Sequence, residues 1–124
     1  MIIHYIMIGL GGALGAMARV GFSKLLPGAI MGIPFPILCV NIIGCFMIGV
    51  LTESMALYWS ISDNMRYFLI AGFLGGFTTF STFALEFGLL FAKNEWFSAM
   101  LYAILSVALS IIFFFIGLKI VRGL

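Results

Sequence analysis

Phe80 and Phe83 stand three positions apart among the hydroxyls of Thr78, Thr79, Ser81 and Thr82, directly after the pair Gly75-Gly76. On a helical backbone the two rings fall on one side. The edge of a phenyl ring is the positive part of its quadrupole, so an edge-on ring can attract an anion. The plainer reading is packing in a core or against lipid, since the chain has 14 phenylalanines. The hydroxyls sharpen the question. They lie within an apolar run long enough to cross a bilayer, where lipid offers them no partner and Gly-Gly weakens the helix. Such a stretch is expected to bend or break inside protein, beside a cavity, where membrane proteins place ion sites. A break at Gly75-Gly76 would free backbone carbonyls, and hard cations such as Na⁺ accept carbonyl oxygens.

Other polar groups fall at membrane depth. Asn41 needs a partner there. Its amide either bonds between helices or offers an N–H to a passing anion. Tyr102, Ser106 and Ser110 recur at steps of four, forming a polar stripe on one helix face. Each serine alone can bond to a carbonyl one turn back, so only the alignment is informative. Glu86 is an acid well inside an apparent crossing, suited to a cation, a proton or an inter-helix hydrogen bond. Arg19 either snorkels to the interface or gives a vestibule positive potential. His4 reads as interfacial. Cys39 and Cys45, six positions apart in one apolar run, lie on different helix faces and read as small buried residues rather than a disulfide or metal pair.

The elements that must position these groups follow from composition. The chain has 124 residues, 65% hydrophobic and 8% charged, with mean hydropathy +1.30. Soluble domains carry about 25% charged residues, so this is an integral membrane protein. Crossing ~30 Å of hydrocarbon takes ~20 helical residues, which allows about four crossings with short loops. They form a single domain over residues 1–124, with helices near 2–26, 33–57, 65–91 and 96–120. The first ends before Pro27-Gly28, and Pro34 and Pro36 open the second, where proline is tolerated. Tyr58, Trp59 and Trp96 fall at segment ends, as interfacial aromatics do. The N-terminus lacks the basic region of a secretory signal peptide. A net charge of +2, thinly scattered, gives no footprint for nucleic acid.

Counting Lys and Arg gives no preferred orientation. Arg66, Lys119 and Arg122 share one side, while Arg19, Lys24 and Lys93 share the other, three against three. Two oppositely inserted copies can then pair about a two-fold axis in the membrane plane. The alternative is that folding or the insertion machinery selects one orientation despite the tie. Small residues four apart (Gly11 and Gly15, Gly12 and Ala16, Gly9 and Ala13) allow close helix contact, within one subunit or between two.

The run Gly72-Phe73-Leu74-Gly75-Gly76-Phe77-Thr78-Thr79-Phe80-Ser81-Thr82-Phe83 resembles the signature of the CrcB/Fluc family of bacterial fluoride channels. Agreement extends to Gly15-x-x-x-Arg19, to Asn41-x-x-Gly44, and to Tyr102 and Ser110. The resemblance covers the whole chain. It implies an all-α membrane protein of four transmembrane helices with the third broken, assembled as an antiparallel, dual-topology homodimer with two anion pores. It also implies a structural Na⁺ at the subunit interface, held by the backbone carbonyls of Gly75 and Thr78. Asn41, Phe80, Phe83, Ser81, Thr82, Tyr102 and Ser110 match the fluoride pore, and Arg19 the arginine near its entrance. Ile37 and Cys39, just before Asn41, depart from the hydroxyls the resemblance would place there.

The function implied is passive, selective export of F⁻ across the bacterial inner (plasma) membrane, lowering intracellular fluoride. Fluoride is strongly hydrated, so a pore must replace its water with N–H and O–H donors and ring edges, along a narrow path. No hydrolytic motif, nucleotide loop or metal-ligand cluster points to an enzyme. A proton-coupled exporter of cationic drugs is the alternative, but it would need a carboxylate facing the substrate cavity, and the first segment has none. A non-transporting assembly subunit would explain the small residues and leave the aligned donors unexplained.

Overall fold

The computed structural model describes residues 1–26, 28, 32–58 and 60–123. It is all-helical, with four crossings long and apolar enough to span a membrane. Helix α1 covers Ile2–Lys24 and α2 covers Phe35–Leu57. The third crossing, Asp63–Ala92, is composite: α3 (Asp63–Arg66), a π-helical stretch (Tyr67–Leu74), α4 (Gly75–Phe77) and α5 (Phe80–Ala92). Helix α6 runs Trp96–Gly123. Pro27 and Trp59 lie outside the described residues.

Local chemistry sets the helix ends. Pro34 precedes α2 in extended conformation and Pro36 sits in its first turn, where an N–H would find no intrahelical acceptor. Ser62 caps α3 by accepting the Met65 N–H at 3.2 Å. Helix α5 stops in a Schellman turn: Asn94 takes φ 62°, its N–H meets the Phe91 carbonyl at 3.1 Å, and the Glu95 N–H meets that of Leu90 at 3.0 Å. Trp96 then opens α6, exposed, its Nε1–H donating to the Phe91 carbonyl at 3.3 Å.

Two glycine seams hold the crossings together. Between helices in lipid the hydrophobic effect is weak, so close backbone approach does more of the work. Helix α1 packs on the π stretch and α4. A Cβ on Gly11 or Gly15 would strike the Phe68 or Phe73 carbonyl, and one on Gly76 would lie 2.6 Å from the Gly12 oxygen. Helices α2 and α6 pack likewise, with Gly49 against the Phe114 carbonyl and Gly117 against that of Phe46. The Gly11/Gly15 and Gly12/Ala16 pairs therefore serve contacts inside the chain. Gly9 and Ala13 face outward, with open space beside Gly9. At one end of the second seam Glu53, 7% exposed, is ion-paired with Arg122.

Candidate functional site

The third crossing breaks at Thr78-Thr79, not at the glycine pair. Gly75 and Gly76 stay helical; α1 crosses at Gly76, against Gly12 and Ala16, while Gly75 is exposed with only the Ile70 carbonyl near it, at 3.5 Å. Thr78 turns to ψ 155° and Thr79 to φ −154°, ψ 121°. β-Branched threonines suit extended backbone, and their hydroxyls replace lost helical bonds. Thr78 Oγ1 donates to the Leu74 carbonyl at 2.9 Å. Thr79 Oγ1 caps α5, accepting the Thr82 N–H at 3.1 Å.

Asn41 closes the break from α2. Its Nδ2 donates to the Thr79 carbonyl at 2.9 Å and its Oδ1 accepts the Thr79 N–H at 2.8 Å, so the side chain pairs with the backbone as a neighbouring strand would. One turn on, Gly44 has no Cβ because Thr78 Cγ2 occupies that place. The spacing Asn41-x-x-Gly44 thus has a mechanical content: one residue grips Thr79 and the other admits Thr78.

The break leaves the carbonyls from Gly75 to Thr78 without their helical donors, and for two of them the diverted N–H is plain. In a continuous helix the Thr79 N–H would close on the Gly75 oxygen and the Thr82 N–H on that of Thr78. Both donors are taken elsewhere, by Asn41 Oδ1 and Thr79 Oγ1. The Gly75 and Thr78 oxygens are hard acceptors left without their helical partners, a donor set that suits Na⁺.

Around the break lie two cavities. One of about 260 Å³ is lined by Asn41, Cys45, Thr78, Thr79, Phe80, Phe83, Ser106 and Ser110 with two aliphatic residues. The other, about 430 Å³, is lined by Arg19, Ser23, Lys24, Ile37 and Thr82 with Val20. A hydroxyl chain joins them through the protein: Thr79 Oγ1 lies 3.2 Å from both Ser81 Oγ and Thr82 Oγ1. Arg19 reaches the second cavity because Gly15, a turn earlier, seats α1 against Phe73. The Phe80 and Phe83 rings are 5.3 Å apart, tilted by 46°. Phe83 is buried against Tyr102 at 5.0 Å, whereas Phe80, on the rim of the smaller cavity, is 76% exposed.

The polar stripe of α6 divides. Ser106 and Ser110 line the smaller cavity, and Ser106 Oγ is buried with no hydrogen-bond partner among the described residues. Tyr102 is fully buried and its hydroxyl donates to Glu86 Oε1 at 2.8 Å, so within this chain it supports Phe83 from behind. Glu86 accordingly makes an inter-helix hydrogen bond, and His4 stacks on Tyr67 with centroids 4.7 Å apart. Sequence reasoning missed the Glu53–Arg122 pair, whose partners lie 69 positions apart. It also missed the π winding of Tyr67–Leu74, for which the sequence holds no local signal.

Four apolar crossings, one of them broken beside cavities lined by amide, hydroxyl and aromatic side chains, define a multi-pass membrane protein with a polar site at a helix break. The chain belongs to the CrcB family: the family model described as "CrcB-like protein, Camphor Resistance (CrcB)" matches residues 6–118. Curated relatives named "Fluoride-specific ion channel FluC" include one from Rhizobium leguminosarum bv. trifolii, 41% identical over 98% of both chains. One from Chelativorans sp. is 39% identical over 98% of both, and one from Francisella tularensis 39% identical over 95% of this chain and 94% of its own. The resemblance read from the sequence is borne out.

Proposed function

We propose that this protein is a passive, fluoride-selective channel that lets F⁻ leave the bacterial cytoplasm through the inner membrane. The observation that carries this reading is near-full-length identity of about 40% to relatives named as fluoride-specific channels. The cavity at the break gives it a chemistry. Ser106 Oγ offers an unused O–H, Asn41 keeps a second amide hydrogen beyond the one given to Thr79, and the Phe80 and Phe83 rings border the same space. Such donors replace the water a small, strongly hydrated anion must shed. Arg19 and Lys24 in the wider cavity raise the local anion concentration at its mouth. Ser81 and Thr82 would hand the ion along the hydroxyl chain, with Ser110 completing the polar track and Tyr102 backing Phe83.

The working unit in this reading is an antiparallel, dual-topology homodimer. The tie in Lys and Arg supports it, as do Phe80 and Ser81, exposed at mid-span where a second copy would cover them. Na⁺ would sit between the copies on the Gly75 and Thr78 carbonyls, each chain supplying its pair, and would lock the break in place. Purification and assay without Na⁺ (N-methyl-D-glucamine replacing it) is expected to abolish flux; full flux in rigorously Na⁺-free solution would remove the ion from the account.

The deciding measurement uses purified protein in fluoride-loaded liposomes. Valinomycin should release a rapid F⁻ efflux that Phe80→Ile abolishes. Efflux that requires a proton gradient would favour a coupled carrier, and absence of any anion flux would overturn the transport reading altogether.

A further inference from the structure

The wider cavity at the break carries positive charge that no acid of the chain offsets. Arg19 and Lys24 line it together with Val20, Ser23, Ile37 and Thr82, and no carboxylate is among them. Neither cation makes an ion pair among the described residues, and Arg19 Nε is buried without an acceptor. Cations elsewhere are compensated on the spot. Arg66 pairs with Asp63, Arg122 pairs with Glu53, and Lys93 shares its cavity with Glu86 and Glu95. A partly desolvated cation without a partner is costly, so an anion is favoured beside it.

The height and flank of the cavity point to the source of that anion. The midpoint of α1 (Ile2–Lys24) is Ala13. Lys24 therefore stands ~16 Å from the middle of an upright helix, close to the ~15 Å half-thickness of the hydrocarbon core, where lipid phosphates begin. Arg19, lower on the same helix, reaches that level with its long side chain. Val20 lines the cavity and is 50% exposed, and Met17, about one turn below, is 69% exposed. The cavity thus opens on an apolar strip of α1 against which an acyl chain can lie. A free inorganic anion would leave that strip unused, whereas a phospholipid matches both parts.

We propose that this cavity is a binding site for the phosphate of an anionic phospholipid, held by Arg19 and Lys24, and that the bound lipid slows fluoride entry by neutralising the mouth. The second half rests on the conduction reading above. The Arg19 guanidinium offers a planar fork suited to two phosphate oxygens, and Lys24 adds a compact point charge. Fluoride drawn toward Thr82 depends on the field of the same two cations, so lipid and ion compete for it.

The test uses the full chain and two readouts. The first is native mass spectrometry of protein taken from vesicles of phosphatidylglycerol and phosphatidylcholine in equal parts. Wild type should retain phosphatidylglycerol over phosphatidylcholine, and Lys24→Gln should weaken that preference about fivefold. Lys93→Gln removes a cation from the same end of the bundle, one with acids beside it, and should leave the preference intact. Equal retention of the two lipids by wild type overturns the site. So does an equal loss in Lys93→Gln, which would mean diffuse surface charge. The second readout is fluoride efflux from liposomes at ~1 M ionic strength, where a screening length of ~3 Å suppresses the general surface potential of the membrane. Adding phosphatidylglycerol to neutral vesicles should slow efflux in wild type, and slow it less in Lys24→Gln. The same proportional drop in both overturns the effect on fluoride entry. If no vesicle passes fluoride, the channel reading fails, and lipid retention still decides the site.

Discussion

Asn41 and Thr79 hold each other through two reciprocal hydrogen bonds, 2.9 Å from Asn41 Nδ2 to the Thr79 carbonyl and 2.8 Å from the Thr79 N–H to Asn41 Oδ1. An amide side chain is the shortest group that offers a donor and an acceptor in one plane, as a peptide does. Asn41→Leu should therefore strand two backbone groups at membrane depth and cost ~2–6 kcal/mol, taking ~1–3 for each buried group left unpaired. Asn41→Asp retains the acceptor but sets a carboxylate beside the Thr79 oxygen. It should lower fluoride flux while losing less stability than Asn41→Leu, with thermal unfolding in detergent and liposome efflux read together. Wild-type flux in Asn41→Asp would take Asn41 out of the ion's path.

Gly44 and Gly9 make a matched pair. A methyl group on Gly44 meets Thr78 Cγ2, while one on Gly9 meets open space. Gly44→Ala should destabilise the fold by ~1–3 kcal/mol through overpacking and displace the break. Gly9→Ala should leave thermal unfolding unchanged or slightly raised, alanine being the better helix former. Equal effects from the two would refute the close contact of α2 with Thr78.

Glu53 and Arg122 are asymmetric partners. The carboxylate is buried, but the arginine side chain is 68% exposed. Removing Arg122 leaves a buried charge uncompensated, whereas removing Glu53 leaves a cation that water or a headgroup can solvate. Arg122→Ala is expected to lower the melting temperature more than Glu53→Gln. The reverse order would refute the asymmetry of the pair.

The four crossings were legible because hydropathy and length decide them, and proline and the interfacial aromatics mark their ends. The place of the break was only half legible. Gly75-Gly76 looks like the weak point because glycine lowers helix propensity, but that property is overridden where α1 packs on Gly76. The threonines that follow yield instead, because their hydroxyls can take over the bonds a helix loses. Asn41 was legible as a residue needing a partner. That the partner is the backbone of Thr79 was not, since it depends on a contact 38 positions away. Tyr102 shows the limit of periodicity: a step of four places it in line with Ser106 and Ser110, yet its ring is long enough to reach Glu86 and turn its hydroxyl off the stripe.

The grip of Asn41 on Thr79 also bears on biogenesis. A third segment entering the bilayer before α2 docks would carry the Thr79 N–H and carbonyl into hydrocarbon unpaired, a cost of several kcal/mol for each group. It should therefore insert as a straight helix, with those groups bonded along the chain, and buckle only when α2 brings Asn41 alongside. On this account the kink is an event of assembly after insertion, and the protein gains its polar centre last.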